Sequence, residues 1–192
     1  ITETDEEDFV TAIAYTAAAK RVTTTSPRNV VRVALTDSLD RIIYSRAGDG
    51  GITIAEYDAN DNMVRTTDAR NMVTEMVYDV LDRATQSTSA VSTPITQSTQ
   101  VEYDRVGNIT ATIDARTNRT EFVYDVLNRQ TEITNAVGDI ARMAYDPVGN
   151  VLTSTDYRQN TTTTVYDDLY RVTSVTDPLT QTVSMTYNAV GN

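Results

Sequence analysis

Aspartate is the residue with the most obvious potential for chemistry in this chain, because six copies recur at nearly fixed spacing, each directly after a tyrosine. Carboxylates can act as general acids or bases, or bind calcium through their oxygens. An active site is normally built once, however, and no Asp-x-Asp-x-Asp-Gly calcium loop occurs, so calcium is the weaker alternative. We predict that each carboxylate bonds its own turn, and we expect no catalytic residue, metal or cofactor. These aspartates are Asp58, Asp79, Asp104, Asp125, Asp146 and Asp167.

The tyrosines at these steps admit two interpretations. They could form an exposed platform that stacks sugars, or they could lie side by side on neighbouring strands. Cross-strand aromatic pairs stabilise a sheet by about 0.2–1 kcal/mol each, and we favour this ladder over glycan binding. The tyrosines in question are Tyr15, Tyr57, Tyr78, Tyr103, Tyr124, Tyr145, Tyr166 and Tyr187.

Arginine occurs at one fixed place, five residues after the tyrosine position, in every second unit. Its guanidinium matches the geometry of a carboxylate, so we predict charge-assisted hydrogen bonds to the aspartate row. Exposed pairs of this kind contribute little to stability, and we expect them to set register instead. The arginines are Arg41, Arg83, Arg129 and Arg171.

Composition excludes several classes of function. The sequence has no cysteine and no histidine, which removes disulfides, thiolate chemistry, the usual zinc sites and histidine-based catalytic triads. Its net charge of −11 disfavours nucleic acid, whose binders need a basic patch. No apolar run approaches the roughly 20 residues of a membrane span, so none is expected.

The Tyr-Asp step defines a repeat of 21 residues, interrupted once by an interval of 25 residues. Units with Leu and Arg three and five residues after the tyrosine position alternate with units that have Asn at the fifth place. Three of the Asn units also carry Val-Gly before that Asn. Counting back to Tyr15 gives nine units, and the alternation makes the structural repeat 42 residues.

Each unit has the pattern of two short strands. Thr120, Phe122 and Tyr124 alternate with Glu121 and Val123, as in a strand with one apolar face. Open sheets rarely exceed about ten strands without curling. The predicted fold is therefore all-β: about nine β-hairpin units in a coiled antiparallel strip, spiral or shell wall, with the tyrosine face buried.

The repeat register divides the chain into two parts. Residues 1–14 are predicted as an N-terminal strand leading into the array, although a capping box from Thr4 to Glu7 keeps a short helix open as an alternative. Residues 15–192 form the repeat array. The longer interval predicts a surface loop at 87–98, where Pro94 cannot donate to a central ladder.

The alternating Tyr-Asp-x-Leu-x-Arg and Tyr-Asp-x-Val-Gly-Asn units resemble the YD repeats of the Rhs family over residues 8–192. That family includes bacterial Rhs toxins, the cocoon-forming subunits of Tc toxins, wall-associated proteins and teneurins. The resemblance implies a spiralling antiparallel β-strip that can wrap into a hollow shell. Nine units are too few to enclose a cargo alone.

These observations lead to one main functional hypothesis and two alternatives. The main one is a non-catalytic structural segment of an extracellular or cell-surface shell, sheath or fibre, secreted and bacterial. The alternatives are a wall fragment of an Rhs/Tc-type toxin-enclosing cocoon and a carbohydrate-binding adhesin. Because the array stops at Asn192 just after a first turn, we expect an open strand edge that joins further chain or another copy.

Overall fold

The computed structural model describes residues 2–4, 10–15, 20–26, 31–90 and 96–188. These residues form eighteen β-strands and contain no helix. The chain divides into two compact units, Ile1–Gln100 and Val101–Asn192.

The strands of the first unit are β1 (Thr2–Thr4), β2 (Val10–Tyr15), β3 (Lys20–Thr25), β4 (Val31–Thr36), β5 (Ile42–Arg46), β6 (Ile52–Tyr57), β7 (Met63–Thr67), β8 (Val73–Tyr78) and β9 (Ala84–Ala90). Strand β10 (Thr96–Tyr103) contains the division between the units. The strands of the second unit are β11 (Ile109–Ile113), β12 (Arg119–Tyr124), β13 (Gln130–Thr134), β14 (Ile140–Tyr145), β15 (Val151–Thr155), β16 (Thr161–Tyr166), β17 (Val172–Thr176) and β18 (Thr182–Ser184).

Consecutive strands pair with each other, and every pair is antiparallel. In the first unit the pairing runs from β1 to the start of β10. In the second it runs from β11 to β18. Each unit is thus a meander of short hairpins, and the predicted all-β hairpin array is confirmed.

Alternation along each strand gives the sheet two different faces. In β12 the side chains of Thr120, Phe122 and Tyr124 are partly buried, whereas Glu121 and Val123 are exposed. The β-branched and aromatic residues that fill these strands fit a pleated surface, which explains why the segments are extended.

Neither unit encloses a conventional hydrophobic core within the described residues. Only Ala111, at 0% exposure, and Thr36, at 8%, are buried. Large aliphatic side chains remain open, and Val126 on a turn is 98% exposed. Each unit is accordingly a single layer, whose stability depends on hydrogen bonds and contacts between adjacent strands.

The N-terminal segment contains the strands β1 and β2, and β2 ends at Tyr15. Residues 5–9, and with them Glu7 of the capping box, lie outside the described residues. The same holds for Val190, Gly191 and Asn192 of the last unit.

The loop predicted at 87–98 is wrong for most of its length. Strand β9 continues to Ala90 and β10 begins at Thr96, with a register that runs from Ala90 opposite Thr96 to Gln86 opposite Gln100. The two strands are longer here because their backbones pair out to Ala90 and Thr96, and side chains also bond across the ladder, as in the 2.9 Å bond from Gln86 Nε2 to Ser98 Oγ. Pro94 lies outside the described residues.

Candidate functional site: the row of Tyr-Asp turns

Each Tyr-Asp step ends one strand and begins a turn of fixed geometry, illustrated by Asp125. The Asp125 N–H donates to the Arg129 carbonyl at 2.9 Å, and the Asn128 N–H donates back to the Asp125 carbonyl at 3.0 Å. Asn128 has a φ of 61°, in the left-handed region. The register then shifts, leaving Thr131 as a bulge in the second strand. This is a β-turn closed by a left-handed residue and a bulge.

In Leu/Arg units the aspartate binds both its own backbone and the arginine. Asp125 Oδ1 accepts the N–H groups of Leu127 at 2.8 Å and Arg129 at 3.0 Å. Asp125 Oδ2 accepts Arg129 Nε at 2.7 Å and pairs with its terminal nitrogen at 2.6 Å. The same contacts occur at Asp37 with Arg41, Asp79 with Arg83 and Asp167 with Arg171.

In Asn units neutral donors replace the arginine. Asp146 Oδ1 accepts the N–H groups of Val148 at 3.0 Å, Gly149 at 2.7 Å and Asn150 at 2.8 Å. Asp146 Oδ2 accepts Asn150 Nδ2 at 2.7 Å. The same arrangement occurs at Asp104 with Asn108, and Asp58 bonds Asn60 and Asn62 in a closely similar way.

These bonds lower the pKa of the carboxyl groups. For Asp125 the largest cause of the lowered pKa is the backbone N–H of Arg129. For Asp146 partial burial pushes the pKa upward, but the Asn150 side chain and the backbone N–H groups of the turn outweigh it. A general acid or base working near neutral pH needs a pKa shifted the other way. The arrangement favours holding a turn over transferring protons.

The arginines also reach forward into the next unit. Arg129 donates to the Asp146 carbonyl at 2.7 Å, and its guanidinium carbon lies 4.7 Å from the centre of the Tyr145 ring. Arg41 makes the corresponding contacts with the Asp58 carbonyl, at 3.0 Å, and with the Tyr57 ring, at 4.9 Å. Arg171 lies 4.4 Å from the centre of the Tyr187 ring.

The repeat tyrosines bind backward, to the carbonyl group fifteen residues earlier. Tyr145 donates its hydroxyl to the Gln130 carbonyl at 2.8 Å, and Tyr78 donates to Met63 at 2.9 Å. Tyr57, Tyr166 and Tyr187 bond Ile42, Val151 and Val172 in the same way. Tyr103 ends β10 and Tyr124 ends β12, while the side chain of Tyr15 lies outside the description.

Sequence reasoning did not single out the asparagines that complete the turns on the opposite edge. Asp114 Oδ1 accepts the N–H groups of Arg116 and Asn118, and the Asn118 side chain donates to Asp114 Oδ2 at 2.9 Å. Asp156 and Asn160 repeat this arrangement. The recurring Asp and Asn four residues apart was the available signal.

No cluster of three or more acidic, histidine or cysteine side chains positioned to hold a metal ion occurs in the described part of the chain. Among the same residues, no helix has the length and apolar character needed to cross a membrane.

The fold and its turns define a class: a β-hairpin repeat protein whose units are linked along one edge by aspartate, arginine and tyrosine. The family model RHS Repeat matches residues 103–140 and 145–182. These two stretches of the chain match the RHS (YD) repeat, which confirms the resemblance seen in their motifs. Among curated proteins, none matches the sequence significantly.

Solved structures show the same fold at low sequence identity. The crystal structure of TcdB2-TccC3-Cdc42 matches with a TM-score of 0.60 and 15% identity, covering 92% of this chain and 12% of that chain. The crystal structure of TcdB2-TccC3 without the hypervariable C-terminal region gives the same values. This chain therefore spans a small part of the length of these proteins, and the likeness concerns the fold alone.

Proposed function

We propose that this chain is a structural wall segment of a shell of the RHS/Tc type. The observation that carries the proposal is the single-layer hairpin strip, in which neighbouring units are tied along one edge by a repeating set of bonds. A sheet of this kind separates two spaces and has no interior of its own. The fold shared with TcdB2-TccC3 structures supports the same conclusion.

We further propose that the repeat tyrosines, aspartates and arginines act as a structural ladder without catalysis. In turn after turn their polar atoms bond the backbone or each other, and the carboxyl pKa values are lowered. Glycan stacking on these tyrosines gains no support, because hydroxyls bond carbonyl groups and three of the rings lie under arginines.

An extracellular location belongs to the same proposal. A chain without cysteine suits an oxidising environment, and a net charge of −11 keeps a large exposed sheet soluble. Joining of copies through strand edges remains a separate prediction. Sedimentation velocity over a hundredfold concentration range tests it, since end-to-end joining requires species that grow with concentration.

The wall proposal is tested by labelling the two faces separately in the natural polypeptide that carries this chain. Thr162 lies on the tyrosine face of β16, and Thr163 lies on the opposite face. Because the chain has no cysteine, Thr162→Cys and Thr163→Cys each introduce one labelling site here. A maleimide carrying a large polyethylene glycol chain should modify only the variant whose face points outward.

The matched pair controls for local accessibility, since a small maleimide should label both variants. Unfolding in urea should make both cysteines equally reactive toward the large reagent. Equal labelling of both folded variants by the large reagent would mean that neither face is enclosed, and the wall proposal would then fail.

A further inference from the structure

A groove of about 500 Å³ lies beside the turn that begins at Asp167 in the second unit. Leu152, Val165, Asp168 and Tyr170 line it, and all four residues are exposed. Every charged residue that lines the groove is an aspartate. The groove is therefore apolar along part of its wall and negatively charged.

Asp168 and Tyr170 are departures from the repeat. Val80 and Val126 stand at the position of Asp168 in other Leu/Arg turns, and Asp82 and Asn128 stand at the position of Tyr170. Asp82 and Asn128 accept hydrogen bonds from the asparagine of the preceding unit, at 2.7 and 2.9 Å.

Among the residues that the structure describes, Tyr170 makes no bond of that kind, yet it has a φ of 60°, a conformation that bulky side chains rarely adopt. Its ring is prominent, because the residue is 59% exposed. An exposed aromatic residue in a strained backbone conformation points to a use for the ring outside the turn.

The side chains of Asp168 and Tyr170 also have no hydrogen-bond or ion-pair partners in the described residues. The Asp167 carboxylate is paired with Arg171 and that of Asp146 is bonded by Asn150, whereas the Asp168 carboxylate has no hydrogen bond or ion pair there. An unpaired negative charge thus stands two residues from an open aromatic ring in one groove.

The same two kinds of group hold arginine elsewhere in this chain. Arg129 pairs with the Asp125 carboxylate and lies over the Tyr145 ring, and Arg41 does the same with Asp37 and Tyr57. A carboxylate combined with a tyrosine ring is the setting in which this molecule repeatedly binds a guanidinium group.

We propose that the groove binds an arginine side chain of a second polypeptide. The guanidinium pairs with Asp168 and stacks on the Tyr170 ring, while the aliphatic part of the arginine contacts Leu152 and Val165. The net charge of −11 favours the approach of basic segments. Arginine is preferred over lysine because its planar group both stacks and forms paired hydrogen bonds.

The test measures binding of capped tetra-arginine and tetra-lysine peptides by titration calorimetry and by amide chemical shifts. Tetra-arginine should bind more tightly and should shift the amide signals around Tyr170. Tyr170→Gly should weaken its binding about fivefold, since the stacking contact is lost while glycine accommodates the left-handed turn. Asp168→Asn should weaken binding about threefold and reduce the dependence on salt.

Asn128→Gly is the matched control, because it makes the same change in the neighbouring Leu/Arg turn, and it should leave binding unchanged. Val126→Asp combined with Asn128→Tyr should add a second site and double the stoichiometry. Unchanged affinity in Tyr170→Gly, or an equal loss in Asn128→Gly, would overturn the proposal. So would maltotetraose binding at Tyr170 more tightly than tetra-arginine.

Discussion

The turns at Asp125 and Asp146 follow the same backbone path, yet different groups hold them. At Asp125 the carboxylate accepts two backbone N–H groups and the guanidinium of Arg129. At Asp146 it accepts three backbone N–H groups and the amide of Asn150. One turn geometry can thus be stabilised by a charged partner, or by glycine together with a neutral partner.

The links from turn to turn differ as well. Arg129 reaches the backbone and the tyrosine ring of the following unit. Asn62 and Asn108 instead donate to a side chain of the following turn, Asp82 and Asn128 respectively. Arginine links to a backbone carbonyl and a ring thus alternate with asparagine links to a side chain, and the pattern of links repeats every two hairpins.

Low pH should have the largest effect on thermal stability, because protonation of the turn aspartates weakens the Leu/Arg turns and the Asn turns together. The turn aspartates have a folded pKa below the ordinary value of 3.8, so the stability they contribute is present above that pH and is lost as the pH falls through the lowered values. The thermal midpoint, followed by circular dichroism, should be flat from about pH 6 to 8 in a chain without histidine. It should fall steeply below pH 3.8. A decline that begins near pH 6 would contradict this account.

Replacing the aspartate by asparagine should separate the two turn types. Asn135 shows that asparagine can hold such a turn through its oxygen. In Asp125→Asn the new NH2 group faces the donors of Arg129, so the melting temperature should fall by roughly 5 °C. In Asp146→Asn the Asn150 amide can rotate to present its oxygen, and the fall should be roughly 2 °C.

Asp168→Asn provides the control for these two variants, because the Asp168 carboxylate has no partner within the described residues. Its melting temperature should match that of the unaltered chain. Equal losses in the Asp125 and Asp146 variants would show that the charge of Arg129 adds nothing to its turn.

Substitutions at Tyr145 and Tyr166 should reveal a smaller difference in stability between the two kinds of link. Tyr145→Phe and Tyr166→Phe each remove one hydrogen bond from a hydroxyl to a carbonyl, of 2.8 and 3.1 Å respectively. Each variant should lower the free energy of unfolding by the same amount, about 0.5–1.5 kcal/mol. Tyr145→Leu also removes the contact with Arg129, and should cost about 0.5–1 kcal/mol more than Tyr166→Leu. Urea unfolding of the four variants measures both differences. A larger loss in Tyr166→Leu would reverse the expected order.

Substitution of the glycine at the left-handed position should have the smallest effect on stability. Gly149 has a φ of 107°, and an added Cβ would meet nothing within 4 Å, so the cost of Gly149→Ala is purely that of the backbone, about 1 kcal/mol. Gly149→Asn should cost about half as much, because asparagine tolerates left-handed backbone conformations better than alanine does, as at Asn128 with its φ of 61°. Urea unfolding is again the measurement, and equal costs would argue against a backbone origin.

Much of the fold was predictable because the repeat constrains it locally. The spacing of Tyr124 and Asp125 marks where a strand ends and a turn begins, and alternation such as Phe122 beside Val123 marks the two faces. The bulge at Thr131 and the forward reach of Arg129 depend on how strands align across the ladder, which a linear pattern does not specify.

The loop wrongly predicted at 87–98 also reflects pairing across the ladder, which the linear pattern does not specify. Extra residues in a repeat suggest a loop, but Ala90 and Thr96 pair across the ladder and extend both strands. The groove beside Tyr170 was equally hidden, because a residue that departs from a pattern contributes nothing to the pattern itself.

The alternation of links along the turn edge also limits how such a gene can change length. Duplicating or deleting 42 residues keeps each arginine facing the tyrosine of an asparagine-type neighbour. A change of 21 residues would place two arginine-bearing turns, or two asparagine-bearing turns, side by side and break the alternation of the links. Recombination within arrays of this kind should therefore retain products that differ by whole pairs of hairpins.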